Sequence, residues 1–581
     1  PLELAAKSYI SSMRTALVFL CGITLAGLSG CKPGSGTQND HRIVLAQWGG
    51  PKTLNPIVEN ESSSSAVSGL LFNGLTSTDG TTGFPKPELA ESWSHDEQGL
   101  VWTFKLRPGL KFNDGSPLTS DDVVFTWTKI VYDSAVRCAM RDILKVGGEF
   151  PQVSAPDPLT VVFKLKQPFA PFVQTVGGVS ILSRKRMEGK TGAAFNSVYG
   201  ISTPPDSLVG AGSYRMVRFD PGSRIVFARN PYYWKKDAAG KPMPYLDTVI
   251  YEIVQGQEAE LLKFKTGEID AMEMVSPRDF PVLKPLESSG NFTLHKLGPT
   301  FKNIFVVFNQ NTGSDSAGKP YVDPAKLSWF RDAAFRRAVS FAIDRKAIRD
   351  IAWNGLGVNA NGPFSPSTGY YHNKALAPLV QNLDSAKLVL KNAGYTWDAQ
   401  GALKDPKGLP VTYNLITNAE NKVRVDIAGL IRKDLEKIGM KVNFTQLEFN
   451  SVVAMMDDNF KWDAILLGLT GGSGAEPHFG ANVWISSGRT HMWFPRQKKP
   501  ATAWETELDQ LVEKGVVTID TAARKKVYDR LQEIVREQQP FVYLGHEEAI
   551  GAVRNRFDNL KPTMLGGVLN GFDTLRVRAT P

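Results

Sequence analysis

Three cysteines in 581 residues exclude a disulfide framework. Cys21 lies inside an apolar run and Cys31 just beyond it, which leaves Cys138 as the one thiol in the body of the chain. In an oxidising compartment a single thiol has no internal partner, so the fold must be held by its core, and Cys138 reads as a packed or silent side chain. Local catalytic motifs are also missing. His546-Glu547 is not followed by the second histidine of HExxH, and there is no GxSxG elbow or Walker loop. Gly355 and Gly357 lack dinucleotide spacing, and His478 and His491 lack the local spacing of a zinc site. No dense basic run accompanies the net charge of +9. That argues against nucleic acid as a partner and for a solvated basic surface facing an anionic envelope. A composition of 42% hydrophobic and 22% charged residues excludes a disordered chain and a multispan membrane protein. The length calls for two or three domains.

The apolar run that is present, residues 16–27, follows Met13 and Arg14. It has the length of a signal-peptide core and is too short to span a bilayer comfortably. Met13 is then a candidate initiator, with residues 1–12 a remnant of upstream reading. Leu28-Ser29-Gly30-Cys31 resembles a bacterial lipobox, which implies cleavage after residue 30 and lipid on Cys31. Residues 31–40 are Gly/Ser/polar and read as a flexible tether.

The body of the chain is organised around residues 87–130. Val101–Leu106 alternates, with Trp102, Phe104 and Leu106 on one face, as a half-buried strand does. Arg107-Pro108-Gly109 breaks it, Leu110-Lys111-Phe112 resumes, and Asn113-Asp114-Gly115 turns the chain. Thr119 with Asp122 is a capping-box pattern before Val124, Trp127 and Val131 at helical spacing. The order PELAESW, strand, LRPGLKFNDGSPLTSDDV, aromatic helix resembles that of the family 5 extracellular solute-binding proteins, the oligopeptide- and dipeptide-binding receptors of ABC importers. TLNP and LFNGL near the start, VGAGSYRMVRFDPGSRIVFARNPYYW over residues 209–234, TGEID, and FRDAAFRRAVSFAIDRKAIRD from residue 330 resemble the same family in the same order. Asp220-Pro221-Gly222 marks a hairpin, and Asp332 and Asp344 are candidate helix caps.

Residues 410–470 carry the candidate site. A strand at 411–416, a helix at 420–438 with Val423, Ile427, Leu430, Ile431 and Ile438 in one stripe, and a strand through Met440, Val442 and Phe444 make a βαβ unit. Ligands bind beyond the carboxyl ends of such strands, at helix N-termini. That points to Thr417, Asn418, Ala419 and Glu420, although Glu420 suits the helix dipole with no ligand at all. Residues 464–469 are apolar throughout, as in a strand buried on both faces, and run into Thr470-Gly471-Gly472-Ser473-Gly474. These glycines serve a cleft loop or simply a tight turn.

The resemblance implies an α/β, two-lobed Venus-flytrap fold of type II-like form with an extra inserted domain. Its expected parts are a discontinuous lobe I (41–76, 206–300 and 540–581), an inserted domain (77–205) and lobe III (301–539). It places Glu59 to Ser65 in the interdomain cleft, and the 355–366 segment near it. In the family the loop after the apolar strand follows a Gly-Trp end and carries an aspartate that pairs with a peptide's ammonium. Here Leu469 stands for the Trp, Gly472 or Ser473 for the Asp, and Glu476 is the nearest acid. A desolvated ammonium needs a counter-charge, so blocked or longer peptides, sugars and other polar solutes stay open. The candidate ligand-binding residues are Glu59, Asn60, Asn418, Glu420, Gly471, Gly472, Ser473, Glu476, Arg489 and Trp493. Of these, Arg489 would meet an acidic group with His491, and Trp493 would stack on a ligand face. The expected function is capture of a solute, foremost an oligopeptide and otherwise an oligosaccharide, and its delivery to an ABC permease and ATPase. No catalysis, cofactor, metal or nucleic acid is expected of a monomer anchored at the cell envelope. A secreted hydrolase or a sensory lipoprotein is the competing class.

Overall fold

The computed structural model describes residues 41–59, 62–138, 140–419, 421–469, 476–488 and 490–578. The expected leader, the tether and Cys31 lie outside the described residues, as do Asn60, Glu420, Gly471, Gly472, Ser473 and Arg489.

Among the described residues twelve strands join one mixed sheet. Its order is Lys441–Leu447, Thr412–Asn418, Ala464–Leu469, Asn303–Phe308, Phe541–Arg554, Ala271–Met272, Arg42–Trp48, Thr248–Val254, Arg224–Arg229 and Tyr214–Asp220. Phe292–Pro299 and Gly357–Asn359 also pair with Phe541–Arg554. This fourteen-residue strand is therefore common to two regions. Its amino half lies against Asn303–Phe308 and its carboxyl half against Phe292–Pro299. The apolar cores divide at the same place. Two clusters draw on residues between Ile304 and Leu544, and two others on residues between Ile43 and Leu297 together with Ala549 to Leu575, joined only by Leu356 from the first range. The chain passes between the regions at residues 299–303 and 545–548. There Gly298 has φ +110°, a conformation that a Cβ would strain, and the Thr300 N–H donates to the Glu547 carbonyl at 2.8 Å.

A second sheet, Ala90–His95, Val101–Leu106, Thr160–Lys164 and Gln152–Asp157, is antiparallel. Its inward residues Trp102, Phe104, Val161 and Phe163 share one core cluster with Ile43, Leu45 and Phe227, so apolar packing runs unbroken from this sheet to the large one. Leu110-Lys111-Phe112 does not form a strand; a single bridge from Lys111 to Pro117 takes its place. The capping box is present, with the Thr119 N–H donating to Asp122 Oδ2 at 2.9 Å. The helix that follows, Ser120–Phe125, widens to π geometry over Thr126–Val131 and buries Trp127 completely. Asp332 caps its helix through the Ala334 N–H at 2.8 Å, and Asp344 accepts from the Ala347 N–H at 3.0 Å.

Candidate functional site

The strand–helix–strand unit runs Thr412–Asn418, Lys422–Glu436, Lys441–Leu447, with the two strands parallel. Ala464–Leu469 lies parallel on the other flank of Thr412–Asn418 and antiparallel to Asn303–Phe308, with Leu469 opposite Asn303. Ile304 in turn stands opposite Gly545. The carboxyl ends of two strands therefore meet the stretch where the chain passes between the two regions. A binding crevice is expected at such a place, beyond the strand ends.

A cavity of about 290 Å³ opens at this point. Its wall is mostly apolar: Phe301, Phe305, Phe364, Leu469, Phe479, Val483, Trp484 and Tyr543 line it. Asn303, Ser365, Thr368, Asn482 and Thr490 supply polar atoms. Each part is set by local structure. The Asn303 amide donates to the Pro363 carbonyl at 2.9 Å and so joins the strand to the 363–368 segment. Ser365 caps the turn after Pro363 by accepting from the Ser367 N–H. The Glu476 side chain accepts from the His478 N–H at 2.9 Å and starts the short helical turn Pro477–Gly480.

Glu476 lines this cavity, yet its carboxylate is already engaged. Arg524, from the helix Thr521–Gln538, donates to it through Nη1 at 2.7 Å and Nη2 at 2.5 Å. Both side chains are about 95% buried, and the rings of Tyr371 and Tyr528 flank the guanidinium at 5.4 and 5.3 Å. Burial pulls the Arg524 proton affinity down, but the bidentate carboxylate outweighs it and pushes the pKa above its ordinary value. A bidentate pair of this kind is strong and geometrically fixed. Glu476 is therefore not a counter-charge in waiting for a ligand ammonium.

The other expected residues fall in different places. Asn418 ends its strand, is buried, and accepts from Arg424 Nη1 at 2.6 Å. Arg424 lies in the first turn of the following helix; burial lowers its pKa, and Glu547 partly restores it. Lys302 stands 3.5 Å from the same Glu547, so charges of both signs gather at this end of the sheet. Glu59 is half-buried in the turn after Asn55, on the other region of the molecule. Trp493 is a correction. It is fully buried, its Nε1 donates to Glu505 at 3.0 Å, and its ring packs 5.3 Å from Phe541. Its carbonyl accepts from the Gln310 N–H, at the end of the Asn303–Phe308 strand remote from the cavity. An indole with no exposed face cannot stack on a ligand. His491 is buried against it, at 3.7 Å between ring centroids. Sequence reasoning missed Asn303, Phe479 and Trp484; the alternation that places Asn303 beside Leu469 appears only once strand pairing is known.

The sheet that carries Trp102 closes over this side of the molecule. The Ala170 N–H donates to the Val516 carbonyl at 2.7 Å, Phe169 meets His478 edge to face, and Phe84 meets Tyr370. Val516 and Ile519 also pack against the core cluster that holds Trp102.

Residues 85–491, well over half of the chain, match the family model described as bacterial extracellular solute-binding proteins, family 5 Middle. The chain belongs to this family. Among curated relatives of this family 5 protein, a probable ABC transporter-binding protein of Deinococcus radiodurans is 29% identical over 515 residues, 85% of each chain. The oligopeptide-binding protein AppA of Bacillus subtilis is 25% identical over 549 residues, 93% of each chain, and its structure in complex with a nonapeptide matches with a TM-score of 0.65. The ABC transporter substrate-binding protein CtaP of Listeria monocytogenes matches with a TM-score of 0.72 at 22% identity, over 92% of this chain and 99% of that one. The fold is that of the two-lobed periplasmic binding proteins. No helix among the described residues is long and apolar enough to cross a membrane. No group of histidine, cysteine, aspartate and glutamate suited to a metal ion occurs among them either.

Proposed function

We propose that this family 5 solute-binding protein binds an oligopeptide in the crevice onto which the cavity beside Leu469 opens and delivers it unaltered to a membrane ABC permease and its ATPase. The observation that carries the reading is the position of that cavity. It lies at the carboxyl end of the Ala464–Leu469 strand, next to the stretches 299–303 and 545–548 where the chain passes between two separately packed cores. Peptide as the solute is supported by the oligopeptide-binding relative AppA. Closure turns the lobes about those crossings. The lobes are residues 41–76, 206–300 and 540–581 on one side and 301–539 on the other, with 77–205 as the inserted domain that closes over the ligand. Asn418 and Glu59 then face the ligand from opposite sides. Binding energy offsets the cost of closure, and no bond of the solute changes. The monomer is held at the periplasmic or extracellular face of the cell envelope by lipid on Cys31.

Thermal unfolding with and without peptides of two to nine residues tests this. A ligand at one hundred times its Kd stabilises the folded state by about 2.7 kcal/mol. A clear rise in Tm with peptides but not with oligosaccharides is the expected result. A response to oligosaccharides alone, or peptide recovered in cleaved form, overturns it.

A further inference from the structure

The cavity beside Leu469 has a chemistry more restrictive than a general peptide groove. At about 290 Å³ it is at the lower limit of small-molecule pockets. It therefore holds one part of a ligand rather than the whole. Phe364, Phe479 and Val483 are half-buried, with surface left to cover, and Trp484 forms a buried wall. Glu476, the one carboxylate among the described residues of the wall, is neutralised by Arg524. One polar atom is left over. Asn303 Oδ1 is shielded from solvent and has no hydrogen-bond partner. The Pro363 carbonyl, 2.9 Å from Asn303 Nδ2, fixes the amide so that oxygen rather than nitrogen is the unmatched atom.

Resting on the peptide reading above, we propose that this cavity is a specificity pocket for one large apolar residue of the bound peptide. The side chain packs among Phe364, Phe479, Val483 and Trp484, and a main-chain N–H of the peptide donates to Asn303 Oδ1. An unmatched acceptor out of water is costly, and a ligand donor removes that cost. A charged side chain would meet no unpaired counter-charge among the described residues of the wall, which is strongly disfavoured. The apolar residue thus supplies the fixed point that a free carboxylate would otherwise give, and none stands on this wall among the described residues.

The test is calorimetric titration of the unaltered protein with pentaalanine and with pentapeptides in which each alanine in turn is replaced by Phe, Leu, Lys or Glu. At one position Phe and Leu bind roughly a hundred-fold more tightly than Lys or Glu. N-methylation of the amide that meets Asn303 weakens the best peptide by about ten-fold. Val483→Asp, checked by thermal unfolding for an intact fold, lowers the affinity for the Phe peptide. Binding of all peptides with no positional preference overturns the pocket and leaves the peptide reading standing. Failure of every peptide to bind overturns both.

Discussion

In the region built from residues between Ile43 and Leu297, the buried ionisable side chains are acids: Glu88, Asp122, Glu260 and Asp270. In the region between Ile304 and His546, Arg336, Arg345 and Arg524 are buried as well, together with His372, His491 and His546. The two regions consequently fix their loops by different means. A buried acid collects donors that come to it, as Glu260 does from Trp48 Nε1 at 2.7 Å and Asp122 from the Arg184 N–H at 2.8 Å. A buried guanidinium reaches outward with five donors and ties distant backbone together. Arg336 donates to the Phe330 and Gln538 carbonyls, Arg345 to those of Ser340 and Tyr543, and Arg524 to that of Gly515 as well as to Glu476. The region that holds the cavity is thus the one cross-tied by cations. Its walls are set before a ligand arrives.

The largest expected effect breaks one of these ties. Arg524→Leu leaves the Glu476 carboxylate buried without its partner and lowers stability by about 3–5 kcal/mol, read from the urea midpoint. A loss below about 1 kcal/mol would remove this pair from the account of how the cavity is held. The second effect is a pH dependence that belongs to the same region. Burial holds His546 at a pKa of about 4 and lowers those of His372 and His478. An unfolded histidine titrates near 6.5, so the unfolded chain takes up protons first as the pH falls. Stability contributed by neutral His546 is complete above about pH 6.5 and is lost as the pH drops through about 4. It amounts to roughly 3 kcal/mol. Tm measured from pH 7 to pH 4 should fall accordingly, and a flat profile contradicts the burial of these rings. Third, Asp332→Ala removes an ordinary helix cap from the cation-tied region and costs about 1 kcal/mol, which gives the scale against which Arg524→Leu stands out. Smallest of all, Arg229→Ala in the other region breaks a surface pair with Asp247 and changes stability by less than about 0.5 kcal/mol.

Much of this fold is legible in the sequence because alternation and capping are local. Val101–Leu106 and Ala464–Leu469 form where the pattern places them, and Asp332 caps where its position suggests. The site is less legible because its parts meet through strand pairing. Asn303 and Leu469 are opposed only once an antiparallel register exists, and Glu476 finds Arg524 forty-eight residues away. One signal was available in the sequence. Arg524 shares the buried face of its helix with Val527, Tyr528 and Leu531, and a basic residue on an apolar stripe asks for a buried partner. Trp493 misled for the opposite reason. An aromatic beside Arg and His invites a ligand, whereas Glu505, held at a pKa of about 2 by donors that overcome its burial, is what it serves.

The Phe541–Arg554 strand has a consequence for how the chain comes to be folded. Because both halves of the large sheet zip onto this late ribbon, neither can be completed until about nine-tenths of the polypeptide has been made. Strands such as Asn303–Phe308 and Phe292–Pro299 keep an unpaired edge until it arrives.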